Sequence, residues 1–139
     1  MPERKRSMPR VTIGGEEIFY ALHQGDKKRE RNLVYIHGAG GSHLNWPPQL
    51  RRMAGVNAYA LDLPGHGRSK GVGKTSIAAY RDFVVAFLQA IGLEKATLVG
   101  HSMGAAIALD FALHYPTRLG SMILIGSGAR LGVAPAILN

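Results

Sequence analysis

The chain has 139 residues, of which 46% are hydrophobic and 19% are charged, a composition typical of one globular domain and not of a disordered chain. It has no cysteine, which excludes disulfides, thiolate metal sites and a cysteine nucleophile. The formal net charge is +8, but the basic residues are dispersed and are not interleaved with aromatic residues. The sequence therefore predicts no nucleic-acid partner.

The N-terminal segment 1–9 is basic and has no apolar stretch behind it. It is predicted to be a disordered arm and not a secretory signal. No apolar run approaches the roughly 18 residues that a membrane span requires. We therefore expect a cytoplasmic protein without a membrane span.

The predicted elements alternate between strands and helices. A hairpin with a glycine turn covers 11–22. Buried strands are predicted at 33–36, 58–61, 96–100 and 122–125, and amphipathic helices at 77–91 and 103–114. This order predicts an α/β fold, a doubly wound and mostly parallel sheet with helices on both faces. Ligands bind such sheets at the carboxyl ends of the strands, where nine of the 18 glycines fall, in the segments 37–43, 62–69, 100–104 and 126–128.

A candidate catalytic motif lies between the predicted strand 96–100 and the predicted helix 103–114. It reads Gly100-His101-Ser102-Met103-Gly104, which is the G-x-S-x-G pattern. A serine on a sharp turn from strand to helix exposes its Oγ above the sheet, and small neighbours let the strand and helix pass closely. The pattern predicts a nucleophilic serine, with a glycine-rich turn around a structural serine as the alternative.

A second glycine-rich segment, 37–42, follows the strand at 33–36. An oxyanion hole needs two N–H donors. The N–H of Met103 is predicted to supply the first and the N–H of Ala39 the second. A plain glycine turn is the alternative for this segment.

The order of segments 37–41, 62–69 and 100–104 resembles that of the α/β-hydrolase superfamily, in its serine-nucleophile branch. The resemblance covers about residues 10–130 and implies an eight-stranded sheet and a Ser–acid–His triad. It implies that Ser102 is the nucleophile and that Ala39 and Met103 supply the oxyanion hole. Serine at this position disfavours the epoxide-hydrolase and haloalkane-dehalogenase branches, which use a carboxylate, and fits cleavage of an ester, a thioester, an amide or an activated C–C bond. The full-length protein is thus expected to be an esterase-like or lipase-like hydrolase of small acyl substrates, acting through an acyl-enzyme without cofactor or metal.

The triad acid and histidine are missing from this sequence. After Ser102 the acidic and histidine residues are Asp110 and His114 alone, and both fall in the predicted helix 103–114, so neither can fill those roles. The histidines at 37, 66 and 101 are predicted to contact their own loops, with the catalytic base as the alternative for His37 and His101. Asp62 is predicted to fix its turn by accepting hydrogen bonds from backbone N–H groups, with a catalytic carboxylate as the alternative.

The resemblance therefore covers only the first half of the family's core. We expect residues 10–130 to form this half, residues 131–139 to begin a lid or linker, and the chain to stop before the last strands. Alone it is expected to be hydrolytically inactive and to leave the edge of its last strand open. The alternative is a non-catalytic ligand-binding or interaction protein on the same fold. The sequence predicts neither the substrate nor an oligomeric state.

Overall fold

The computed structural model describes residues 9–126. The predicted arm, apart from its last residue, and the predicted lid or linker lie outside this range. The strands are β1 (Arg10–Ile13), β2 (Glu16–Gln24), β3 (Asn32–Ile36), β4 (Asn57–Leu61), β5 (Ala96–His101) and β6 (Leu119–Ile125). The α-helices are α1 (Pro48–Arg51), α2 (Ile77–Ala90) and α3 (Met103–His114), and short 3₁₀ turns cover His43–Asn45 and Pro116–Arg118.

The six strands form one sheet in the order β1-β2-β4-β3-β5-β6. Strands β4, β3, β5 and β6 pair in parallel, whereas the β1–β2 and β2–β4 pairs are antiparallel. The predicted doubly wound, mostly parallel sheet is confirmed. After β3 the chain crosses to one side to form β4, then returns past β3 to form β5. The carboxyl ends of β3 and β5 therefore flank a topological switch point, where sheets of this kind bind ligands.

Apolar layers cover both faces of the sheet. Val34 and Ile36 point to the larger layer, where they meet α2 and α3, and the intervening Tyr35 points to the smaller one. This alternation follows from the period of two along a strand. The smaller layer is closed by Trp46 and by Leu50 of α1. Helices thus lie on both faces, but the two predicted helices, α2 and α3, both pack on the larger layer. The other face has only α1 within residues 9–126, which is short and was not predicted.

Helix α2 begins and ends where its sequence predicts. The Ser76 hydroxyl accepts a hydrogen bond from the Ala79 N–H at 3.0 Å, which satisfies a free donor of the first turn. Gly92 follows the helix with φ of 78°, the left-handed conformation that terminates many helices. No helix within residues 9–126 has the length and apolar character needed to cross a membrane.

Strand β6 differs from its prediction as a buried strand. Leu119 and Leu124 pack against the larger core layer, whereas Ile123 and Ile125 are 48% and 39% exposed. The expected burial is wrong for these two residues because no element of residues 9–126 covers that side of β6 or pairs with its outer edge.

Candidate active site

The turn between β5 and α3 holds Ser102 in a strained conformation. Its φ is 59° and its ψ is −116°. Within residues 9–126, Arg29 is the other non-glycine residue with positive φ. Such a conformation costs about 1–3 kcal/mol and persists only where the surroundings enforce it. The residue is partly exposed at the carboxyl end of β5, as expected for a nucleophile on a sharp turn.

The two glycines of the motif are required by close packing. A Cβ on Gly100 would clash with the Gly104 carbonyl and lie 2.7 Å from the Ala105 nitrogen. A Cβ on Gly104 would clash with the Ile36 carbonyl and lie 2.9 Å from the His37 carbonyl oxygen. Helix α3 therefore approaches both β5 and the end of β3 more closely than a side chain would permit.

Hydrogen bonds on both sides fix the Ser102 turn. The Ser102 N–H donates to the Ile125 carbonyl at 3.2 Å, which ties the turn to the end of β6. The Ser102 carbonyl accepts from the Ala105 N–H at 2.9 Å and from the Ala106 N–H at 3.3 Å. The strained backbone is thus held by β6 on one side and by the first turn of α3 on the other.

The loop after β3 lies directly against Ser102. A Cβ on Gly38 would stand 3.1 Å from the Ser102 Cβ and 3.6 Å from its Oγ. Ala39, the next residue, lines the same cavity as Met103. In the part of the chain that the structure describes, no hydrogen bond between loops or elements engages the N–H of Ala39 or of Met103. The three residues predicted for the site are therefore brought together beside this cavity.

His37 links two strand-end loops. It is fully buried, its Nδ1 lies 2.7 Å from the Gly38 carbonyl oxygen, and its Nε2 accepts the Leu63 N–H at 3.1 Å. Since Leu63 can only donate, the ring proton must be on Nδ1, which donates to Gly38. Burial lowers the pKa of His37, the Gly38 carbonyl opposes this, and His66, Asp62 and His43 have smaller effects. The ring is therefore neutral in the folded protein near pH 7.

Asp62 is the centre of a second link between the same loops. Its carboxylate is fully buried and accepts the backbone N–H groups of His43 at 2.6 Å and Arg68 at 2.8 Å, in agreement with its predicted role in the turn. Sequence reasoning missed the side chain of His43, whose Nδ1 lies 3.0 Å from the carboxylate. This histidine is buried against Phe19, with ring centroids 4.9 Å apart.

A cavity of about 270 Å³ opens beside Ala39 and Met103. Its other walls come from the turn after β4 and from the start of α2: His66, Lys74, Thr75, Ser76, Ile77 and Tyr80. His66 Nδ1 lies 3.0 Å from the Pro64 carbonyl oxygen, so His66 contacts its own turn as predicted. The lining residues of α2 carry no motif, and sequence reasoning did not assign them to the site.

The remaining acidic and histidine candidates lie away from Ser102. Asp110 is eight residues along α3, or about 12 Å at the helical rise, and it pairs with Arg81 at 3.0 Å. His114 contacts the Asp110 carbonyl at 2.9 Å. Among residues 9–126, no histidine forms a hydrogen bond to the Ser102 hydroxyl, and no cluster of three metal-ligating side chains is present.

Comparisons with known proteins agree with this architecture. A sequence model of the alpha/beta hydrolase fold matches residues 31–138. The 2-hydroxy-6-oxo-6-phenylhexa-2,4-dienoate hydrolase of Burkholderia cepacia is 33% identical over 93% of this chain and 47% of its own length. The dihydrolipoyllysine-residue acetyltransferase component of the acetoin cleaving system of Cupriavidus necator is 36% identical over 81% of this chain and 30% of its own.

A solved structure described as a membrane phospholipase A, a bacterial virulence factor, superposes with a TM-score of 0.77. It is 33% identical, over 94% of this chain and 41% of that one. The chain thus spans less than half the length of each of these relatives. Because the sheet order and the strand–turn–helix at Ser102 agree with a match over most of the sequence, the chain belongs to the α/β-hydrolase fold family.

Proposed function

We propose that Ser102 is the nucleophile of a serine hydrolase that cleaves carboxylic esters or related acyl substrates through an acyl-enzyme. One observation carries this proposal: the strained Ser102 turn stands against Gly38, beside a cavity shared by Ala39 and Met103. A structural serine has no need of a backbone conformation that costs about 1–3 kcal/mol.

The chemistry follows from these groups. The Ser102 Oγ attacks the substrate carbonyl carbon and loses its proton to a base. The negative charge that develops on the carbonyl oxygen is stabilised by the N–H groups of Ala39 and Met103. The tetrahedral intermediate expels the protonated leaving group, and water then hydrolyses the acyl-enzyme. This reaction uses no cofactor or metal.

We further propose that the base and its acid come from outside these 139 residues. Asp110 and His114 lie along α3 in contact with each other, and Asp110 also pairs with Arg81, away from the Ser102 turn. Residues 10–130 would then be the N-terminal half of the catalytic core. Without a base and acid, the rate should fall by a factor on the order of 10⁴ to 10⁶. A monomer of this chain that hydrolyses p-nitrophenyl acetate at ordinary enzyme rates would contradict this part of the proposal.

The substrate is proposed to be a small molecule. The cavity beside Ala39 and Met103, of about 270 Å³, fits an acyl group of modest size, and Ile77 and Tyr80 supply apolar walls. The names of the dienoate hydrolase and the phospholipase A support a hydrolase.

A fluorophosphonate probe tests the nucleophile in the intact natural protein that contains this sequence. We expect one labelled site, lost in Ser102→Ala. Ser121→Ala is the matched control. Ser121 lies near the start of β6, away from the Ser102 turn, and its hydroxyl is hydrogen-bonded to that of Thr97 at 2.8 Å. The Ser121→Ala variant should be labelled to the same extent as the unmutated protein. Labelling that survives Ser102→Ala would refute the proposal. A folded protein that takes no label would favour a non-catalytic ligand-binding protein.

A further inference from the structure

The carbonyl group of Gly38 is held by two donors. His37 Nδ1–H donates to it at 2.7 Å, and the Gly41 N–H donates to it at 3.0 Å. This carbonyl belongs to the peptide that joins Gly38 to Ala39. Its orientation therefore decides where the Ala39 N–H points.

The peptide geometry makes this coupling rigid. Residues 9–126 contain no cis peptide bond, and in a planar trans peptide the C=O and N–H bonds point in opposite directions. Two donors on the carbonyl side thus aim the Ala39 N–H to the other side. A rotation of this peptide would break both bonds at Gly38 and turn the Ala39 N–H away from its present direction.

The donor itself is held in one protonation state. The Leu63 N–H points at Nε2 of His37, so a proton on Nε2 would face another donor. The ring is fully buried, which leaves no water to replace either bond. The loop after β4 therefore keeps the proton on Nδ1, the nitrogen that faces Gly38. Both ring nitrogens are occupied, and His37 is not free to act as the base.

We propose that His37 is a positioning residue that aims the Ala39 N–H at the substrate oxyanion by donating Nδ1–H to the Gly38 carbonyl. The role rests on the proposed function of Ser102. His37 touches no reacting atom. It acts through the Gly38–Ala39 peptide, and Leu63 supports it from the neighbouring loop.

A matched pair of variants separates this role from simple packing. In His37→Asn the amide nitrogen takes the place of Nδ1 and keeps the donor to Gly38. In His37→Gln the amide oxygen takes the place of Nε2 and keeps only the acceptor for Leu63. Each variant loses one buried hydrogen bond and the ring, so a purely structural role predicts equal effects.

The rates are measured with p-nitrophenyl acetate and the intact natural protein. We expect His37→Gln to lower kcat by about 10²–10³, as for the loss of one oxyanion donor, with KM little changed. His37→Asn should retain kcat to within about tenfold, because it keeps the donor to Gly38. Equal losses of kcat in the two variants, or full activity of His37→Gln, would overturn the inference.

A spectroscopic measurement covers the case in which a variant does not fold. Two-bond ¹H–¹⁵N correlation spectra of the unmutated protein near pH 7.5 should show His37 protonated at Nδ1 and bare at Nε2. A proton on Nε2 overturns the inference and leaves Ser102 unaffected. Labelling that persists in Ser102→Ala refutes the proposed function, and with it the positioning role of His37. The tautomer measured for His37 does not depend on that result.

Discussion

Replacing Asp62 with alanine should destabilise the protein more than any change at an exposed acidic residue. The Asp62 carboxylate is fully buried and accepts the N–H groups of His43 and Arg68 and the ring of His43. Alanine would leave these three donors without an acceptor in a site closed to water. A buried polar group without a partner is costly because it gives up its hydration and gains nothing in return.

The size of the effect follows from these bonds. Each buried donor left without an acceptor costs about 1–3 kcal/mol. The three donors together should cost about 3–5 kcal/mol, because relaxation of the loops recovers part of the loss. The total stability of a domain is about 5–15 kcal/mol, so the variant should be marginally folded. With a urea m-value of about 2 kcal/mol/M, the unfolding midpoint should fall by about 2 M.

Urea unfolding followed by tryptophan fluorescence measures this shift. Trp46 is the only tryptophan of these 139 residues and is 4% exposed, so its emission reports loss of the core around it. Asp26→Ala is the control: Asp26 also accepts three backbone N–H groups, at 2.8 to 3.1 Å, but in an exposed loop where water can replace it. A midpoint for Asp62→Ala equal to that of Asp26→Ala would refute the argument.

Three further predictions concern the site. In urea unfolding, Ser102→Gly should be more stable than Ser102→Ala by about 1 kcal/mol or more, because glycine adopts positive φ without strain. Equal unfolding midpoints of the two variants would show that the φ of 59° at this position is not strained. Gly104→Ala should lower the free energy of unfolding by about 1–3 kcal/mol, because the new methyl group would be overpacked against the Ile36 carbonyl. Gly120→Ala is the control: its new methyl group would have its nearest neighbour 3.5 Å away, so the same assay should show little change. Folding lowers the pKa of His37 from its usual value of 6.5. Below pH 6.5, therefore, this imidazole binds a proton more readily in the unfolded chain than in the folded one. Stability should therefore fall as the pH drops from 7.5 to 5.5, more steeply than in His37→Asn; parallel curves would contradict this.

Local signals explain why most of the elements were predictable. The apolar runs, the Ser76 cap and Gly92 each act within a few residues, and the structure places β4, α2 and β5 within a residue or two of their predicted bounds. The strand–turn–helix around Ser102 is local in the same sense. Its glycines are required by contacts that neighbouring residues in the motif make with each other and with the end of β3.

The structural features that the sequence did not predict depend on contacts between segments that are distant along the chain. The antiparallel pairing of β2 with β4 joins residues 33 to 41 positions apart, and no short pattern encodes it. The sequence suggests that His43 is a polar loop residue. In the structure it is buried, because its ring lies against the buried carboxylate of Asp62. Likewise, the cavity wall contributed by Ile77 and Tyr80 exists only once α2 has packed beside the Ser102 turn.

The links between the loops after β3 and β4 have a consequence for protein engineering. His37 meets Leu63, and His43 meets Asp62, so each loop completes the hydrogen bonds of the other. Grafting one of these loops from a homologue would leave half of each pair without its counterpart. The two segments, 37–46 and 62–69, should therefore be exchanged together, and substitutions within them should show strong epistasis across the pair, with effects that do not add.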